Sequence, residues 1–115
     1  MVKIRCPNFI PTSIINEAMK CVCNIEIKSE FPIMATGFFM KVSNSSKFII
    51  SSEHSIGYAI ENNKEIEVEI WNGTRIILSS NGRFTRIFKK ELDIAIMEIK
   101  DSDSISSAID FWIMI

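Results

Sequence analysis

Cysteine is sparse in this chain and odd in number: Cys6, Cys21 and Cys23 in 115 residues. Three thiols cannot all pair, and Cys21 and Cys23 stand only two apart. The expectation is reduced, partly buried thiols rather than a disulfide framework. Histidine occurs once, at His54. One imidazole and this cysteine pair do not make up a metal-ligand set, so neither a metal nor a cofactor is expected. Basic excess is absent: 13 Lys and Arg stand against 14 Asp and Glu, which gives no reason to expect nucleic acid as a partner. No apolar run approaches a membrane span, so no membrane partner is expected. The start, Met1 to Pro7, is basic, but Pro7, Asn8 and Pro11 interrupt any apolar stretch, and no secretory signal is read there. The expected compartment is the cytoplasm.

What remains is ordinary globular composition, 47% apolar and 23% charged. The length suits one domain that buries about 65% of its unfolded surface. Residues 1–11 read as a loose arm. Thr12 or Ser13 can cap a short helix with Glu17 in its first turn, and Ile15, Ala18, Met19 and Val22 fall at helical spacing. Then the period changes to two. Cys23, Ile25 and Ile27 alternate with Asn24, Glu26 and Lys28 as a half-buried strand, which Ser29 to Pro32 breaks.

A hairpin follows. Phe38, Met40 and Val42 share one face of its first strand, with Phe39 and Lys41 on the other. Gly37 inside the run marks a bulge or a close approach by another backbone. Ser43 to Ser46 is a polar turn, and Phe48-Ile49-Ile50, apolar on both faces, is expected to be an interior strand. Residues 57–64 read as a loop. Ile66, Val68 and Ile70 then alternate with Glu65, Glu67 and Glu69, an acidic row read as a solvated sheet face. Asn72-Gly73 signals a two-residue hairpin and Asn81-Gly82 a second tight turn. Arg83 to Phe88 and Ile94 to Ile99 are further strands. Asp101 to Ser104 is a polar break, and Phe111 to Ile115 form an apolar ending. The expected fold is all-β: a six- to seven-stranded antiparallel β-barrel with one short N-terminal helix. The domain spans 12–104, and 105–115 form an apolar tail or the start of a linker.

Two residues carry the chemistry. His54 stands where the second hairpin strand stops, and its unperturbed pKa near neutrality suits proton transfer. Asp93 stands at the mouth of the apolar run Ile94 to Ile99. The surrounding motifs resemble those of a known family. Ala35-Thr36-Gly37-Phe38-Phe39, followed by Ile50-Ser51-Ser52-Glu53-His54-Ser55-Ile56, is similar to the Gly-x-Gly-Phe and Leu-Thr-x-x-His-Val signatures of trypsin-like serine peptidases. Leu92-Asp93-Ile94-Ala95-Ile96 is similar to that family's Asp-Ile-Ala-Leu. The order His then Asp is that of the chymotrypsin arrangement. The branch it most resembles is the intracellular, disulfide-free one, whose members often have valine after the His. Here that position is Ser55. The likeness runs from about Lys20 to Ile99.

By this resemblance the domain is the N-terminal barrel of a two-barrel serine endopeptidase, with His54 as base and Asp93 as its orienter. The family's nucleophile motif, Gly-Asp-Ser-Gly, belongs to a second barrel. This chain has no glycine after Gly82, and Ser102, Ser104, Ser106 and Ser107 are not in such a setting. The chain is therefore expected to be inactive alone, and it ends about where the linker to the second barrel is expected. Glu53 either competes for His54 or faces solvent. The alternatives are a non-catalytic β-barrel module that binds a protein or peptide, and an unrelated small β-barrel adaptor. In a chain holding one barrel, the inter-barrel face and the apolar tail are expected to stay exposed and to promote self-association.

Overall fold

The structure is a computed structural model that describes residues 19–43, 46–88, 92–109 and 112–114. Residues 12–18 of the expected helix lie outside them. Its last expected member, Val22, instead opens the first strand.

β1 (Val22–Ile27) follows its alternation, with Cys23, Ile25 and Ile27 buried and Asn24 exposed. Ser29 Oγ donates to the Phe31 carbonyl (2.6 Å) in the turn that returns the chain. β2 (Ile33–Ser43) is long enough to serve two partners. Its first half pairs with β1, from Ile27–Ile33 to Val22–Phe38. Its second half pairs with β3 (Ser46–Ser51), starting at Phe38–Ile50, with a bulge between Lys41 and Ser43. The bulge thus lies past Gly37. Gly37 is instead a point of close approach: a Cβ there would sit 2.6 Å from Ile25 Cδ1, 3.1 Å from Cys23 Sγ and 3.2 Å from the Ile50 carbonyl oxygen. This crowding explains which face of β2 turns inward. Phe39 is fully buried, while Phe38 and Val42 are exposed. The residue that shares its face with Lys41, not the row of three apolar residues, enters the core.

After β3 the chain winds rather than loops. Glu53–Gly57 form a π-helical turn that continues as α1 (Tyr58–Glu61). Ile56 and Ala59, three apart, are fully buried and pack this segment on the core, a contact that local sequence does not announce. β4 (Ile66–Glu69) and β5 (Arg75–Leu78) form a hairpin with Gly73 at φ +86°. Ile70 N–H donates to the Thr74 carbonyl (3.0 Å), so the loop is the three residues Trp71-Asn72-Gly73 rather than two.

β6 (Thr85–Phe88) pairs not with β5 but with β7 (Ile94–Ile99), which in turn pairs with β3. The strand order is β5-β4-β1-β2-β3-β7-β6. These seven antiparallel strands curl into a half-barrel around Phe39, Ile25, Ile27, Ile49, Ile66 and Met97. β3 is interior, as its two apolar faces predict. No helix among the described residues is long and apolar enough to cross a membrane.

The last segment returns to the body. α2 (Ser104–Ala108) buries Ile105 completely, and β8 (Ile113–Met114) lies parallel to β2 at Met40 and Lys41. Trp112 meets Phe39 edge-on at 5.8 Å, and the Lys41 and Lys47 ammonium groups lie 5.8 and 5.7 Å from its ring centre. Those lysines are direct cross-strand partners. The aromatic face and Asp101, 2.8 Å from Lys47 Nζ, offset their repulsion.

Candidate functional site

The site is built where β3 ends and β7 begins. A chain of hydroxyl groups fixes the end of β3. Ser51 Oγ donates to the Thr36 carbonyl at 2.8 Å, so its single proton is spent. Ser55 Oγ, 2.9 Å from Ser51 Oγ and 3.0 Å from Ser52 Oγ, links the two. Ser55 Oγ also lies 3.1 Å from the Ser52 carbonyl, to which it can donate, so every hydroxyl of the cluster has a partner. Ser55 is 1% exposed, so this polar cluster sits inside the core wall and pins the π-helical turn from within.

That turn faces His54 outward and presents the Glu53 amide to β7. Asp93 Oδ1 accepts the Glu53 N–H at 2.9 Å, and Asp93 Oδ2 lies 3.9 Å from His54 Nε2. The first contact is a hydrogen bond. The second is within ion-pair reach but longer than a hydrogen bond. The two residues named from sequence, 39 positions apart, are thus brought together, and the carboxylate is oriented by backbone. Their side chains are 85% and 54% exposed, so the pair is open to water.

The open question about Glu53 has an answer in the packing. Its stem crosses Gly57, where a Cβ would come within 3.1 Å of Glu53 Cγ. The carboxylate paired with His54 among the described residues is that of Asp93. His54, Glu53, Tyr58, Glu61 and Asn62 line a shallow surface cleft.

No family model matches the chain, and no curated protein does. The likeness to trypsin-like peptidases therefore rests on the three motifs and on where their residues stand.

Two features of the geometry depart from that family's arrangement. In a serine-peptidase triad the Asp faces Nδ1 of the imidazole and leaves Nε2 for the nucleophile; here Nε2 faces Asp93. The serine hydroxyls beside His54, those of Ser52 and Ser55, are committed to the buried network. Ser106 Oγ lies 3.3 Å from Lys47 Nζ, past the far end of β7 from Asp93. Among the described residues no cluster of three or more His, Cys, Asp and Glu side chains could hold a metal.

The thiols of Cys21 and Cys23 are free and buried. Burial pushes Cys23 up to about 12, with the Gly37 backbone opposing, and burial also raises Cys21. A group held so firmly as the thiol is a poor nucleophile.

The sequence reading missed the Ser51–Ser52–Ser55 network and an ion pair at the other end of the half-barrel, Arg83 with Asp103. The only hint of the first was Ser55 in a slot where the resembled family has valine. The second carries no local signal, because its partners lie 20 residues apart, one at the start of a segment that reads as a strand and the other in a polar break.

Proposed function

We propose that this chain is the N-terminal barrel of a trypsin-like serine endopeptidase, with His54 as general base and Asp93 as the group that orients it. The observation that supports this most is the His54–Asp93 approach, with Asp93 anchored on the Glu53 amide. In that role Asp93 holds the imidazole tautomer and stabilises the imidazolium, while His54 takes a proton from a serine hydroxyl. The ring must turn to bring Nδ1 to Asp93, and its exposure leaves room for that. The nucleophile and the oxyanion hole come from outside these 115 residues, so the chain does not cleave peptides alone.

The test is to read the transcript past the codon for Ile115 and to assay the longer product. A Gly-Asp-Ser-Gly segment and peptidase activity lost in His54→Ala are expected. Activity unchanged in His54→Ala would sink the assignment.

A second reading, a non-catalytic module that binds a protein or peptide, is favoured by one observation. Trp112 and β8 return to the body, where Trp112 meets Phe39 and β8 pairs with β2, so this apolar segment is packed on the domain itself. A transcript with no nucleophile segment, together with a stable isolated chain, would favour it.

A further inference from the structure

The outer face of the sheet changes character along the strand order. Over β1, β4 and β5 it carries ion pairs, with Ile77 exposed beside them. Arg75 Nε lies 2.6 Å from Glu69 Oε2 and its Nη1 3.4 Å from Glu67 Oε1, while Lys28 Nζ lies 3.2 Å from Glu67 Oε2. Over β2, β3, β7 and β6 it is apolar. The inward residues of β7 are Ala95, Met97 and Ile99, so Ile94, Ile96 and Glu98 point out.

Register arranges this apolar half in rows. One row runs Phe38, Ile50, Ile96, Arg86. The next holds Phe48 opposite Glu98, whose own N–H donates to the Phe84 carbonyl at 2.9 Å. The Phe48 and Phe84 rings meet edge-on at 6.1 Å. Phe38 and Phe84 are 41% and 55% exposed, which is costly for large rings on a monomer's surface.

Among the described residues of these strands, Arg86 and Glu98 point out from this face, one charge of each sign. The Arg86 guanidinium lies over the Phe88 ring at 4.9 Å, and Glu98 Oε1 accepts the Phe84 N–H at 3.1 Å. They sit on neighbouring strands, one row apart. Such a face is complementary to itself. A two-fold axis lying in the plane of contact, along the perpendicular bisector of the diagonal from Arg86 to Glu98, sets Arg86 of each copy against Glu98 of the other. It also buries the Phe38 and Phe84 rings.

We propose that the outer face of β2, β3, β7 and β6 is the contact surface of a two-fold homodimer, held by apolar rows and by two reciprocal Arg86–Glu98 pairs. The inference does not depend on the peptidase reading.

Sedimentation of the full chain over a range of concentrations tests it, with folding followed by far-ultraviolet circular dichroism. The wild type is expected to dimerise. Arg86→Glu alone and Glu98→Arg alone each set like charges together twice, and each should weaken the dimer about a hundredfold or more. An equal mixture of the two variants restores both opposite-charge contacts, so a heterodimer should reappear in native mass spectrometry. Phe84→Lys, at an exposed ring, should also yield monomer. If Glu98→Arg does not fold, because its carboxylate also holds the Phe84 amide, Arg86→Glu and Phe84→Lys decide the matter, and both must weaken the dimer. A wild type that is monomeric at every concentration would give the face to another occupant and overturn the proposal. So would a dimer indifferent to Phe84→Lys, or two folded charge variants that fail to associate when mixed.

Discussion

Arg83 grips Asp103 through two hydrogen bonds, Nη1 to Oδ2 at 2.5 Å and Nη2 to Oδ1 at 2.7 Å. The same guanidinium donates to the Ser79 carbonyl at 2.7 Å, and Asp103 Oδ2 accepts the Lys100 N–H at 2.7 Å. β5 and β6 are the two ends of the strand order and do not pair with each other. This clamp ties the turn between them to the segment between β7 and α2. It also explains why Asp103, the residue before α2, makes no side-chain cap to that helix.

Both side chains are nearly buried, at 12% and 11% exposure, so removing one partner strands the other. Asp103→Asn or Arg83→Ala is expected to cost about 3 kcal/mol, the low end for a broken buried pair. Urea unfolding of the two singles and the double variant reads this directly. The double should cost much less than the sum, because neither charge is then left alone. Additive losses would show that the clamp is not a unit.

The clamp also sets a pH dependence. Arg83's hydrogen bond holds the Asp103 carboxyl below its ordinary range, with burial opposing. A carboxylate whose folded pKa lies below its unfolded value, about 4, contributes its full stability above that value. The contribution is lost as pH falls through the folded pKa. Stability should therefore drop in acid below about pH 4 in the wild type, and less steeply in Asp103→Asn. Equal slopes in urea unfolding from pH 5 downward would contradict it.

Gly37 is required by space rather than by conformation. A Cβ there meets Ile25 Cδ1 at 2.6 Å and the Ile50 carbonyl at 3.2 Å, and the second neighbour is backbone. Gly37→Ala should cost about 1–3 kcal/mol by overpacking. Ile25→Val removes the nearer methyl, so the pair Gly37→Ala, Ile25→Val should recover part of the loss. Thermal unfolding of the three variants checks it, and a neutral Gly37→Ala would mean that the sheet yields more easily than its packing implies.

Ser55 holds the turn that carries His54. Ser55→Ala removes its contacts to Ser51 and Ser52 and should cost about 1–2 kcal/mol. Hydrogen exchange at residues 53–57 should quicken more than in β1 or β7. A uniform change across the sheet would deny the network a local role.

Much of the fold was legible because alternation is a local property. Cys23, Ile25 and Ile27, and again Ile66, Val68 and Ile70, could bury one face only as strands, and they do. His54 and Asp93 were legible as a pair through the motifs around them. Their approach depended on β3 and β7 pairing through Ser51–Ala95, which no local pattern states. The inward turn of Phe39 was not legible, because its face is the less apolar one and only the crowding at Gly37 explains the choice. The winding of residues 53–61 was hidden for a similar reason: Ile56 and Ala59 make a helical face only where a core lies ready to receive it. The Arg83–Asp103 clamp and the return of Trp112 to Phe39 were decided by tertiary structure alone. Alternation and turn residues constrain neighbours a few positions apart, whereas these contacts join segments that only the curl of the sheet brings together.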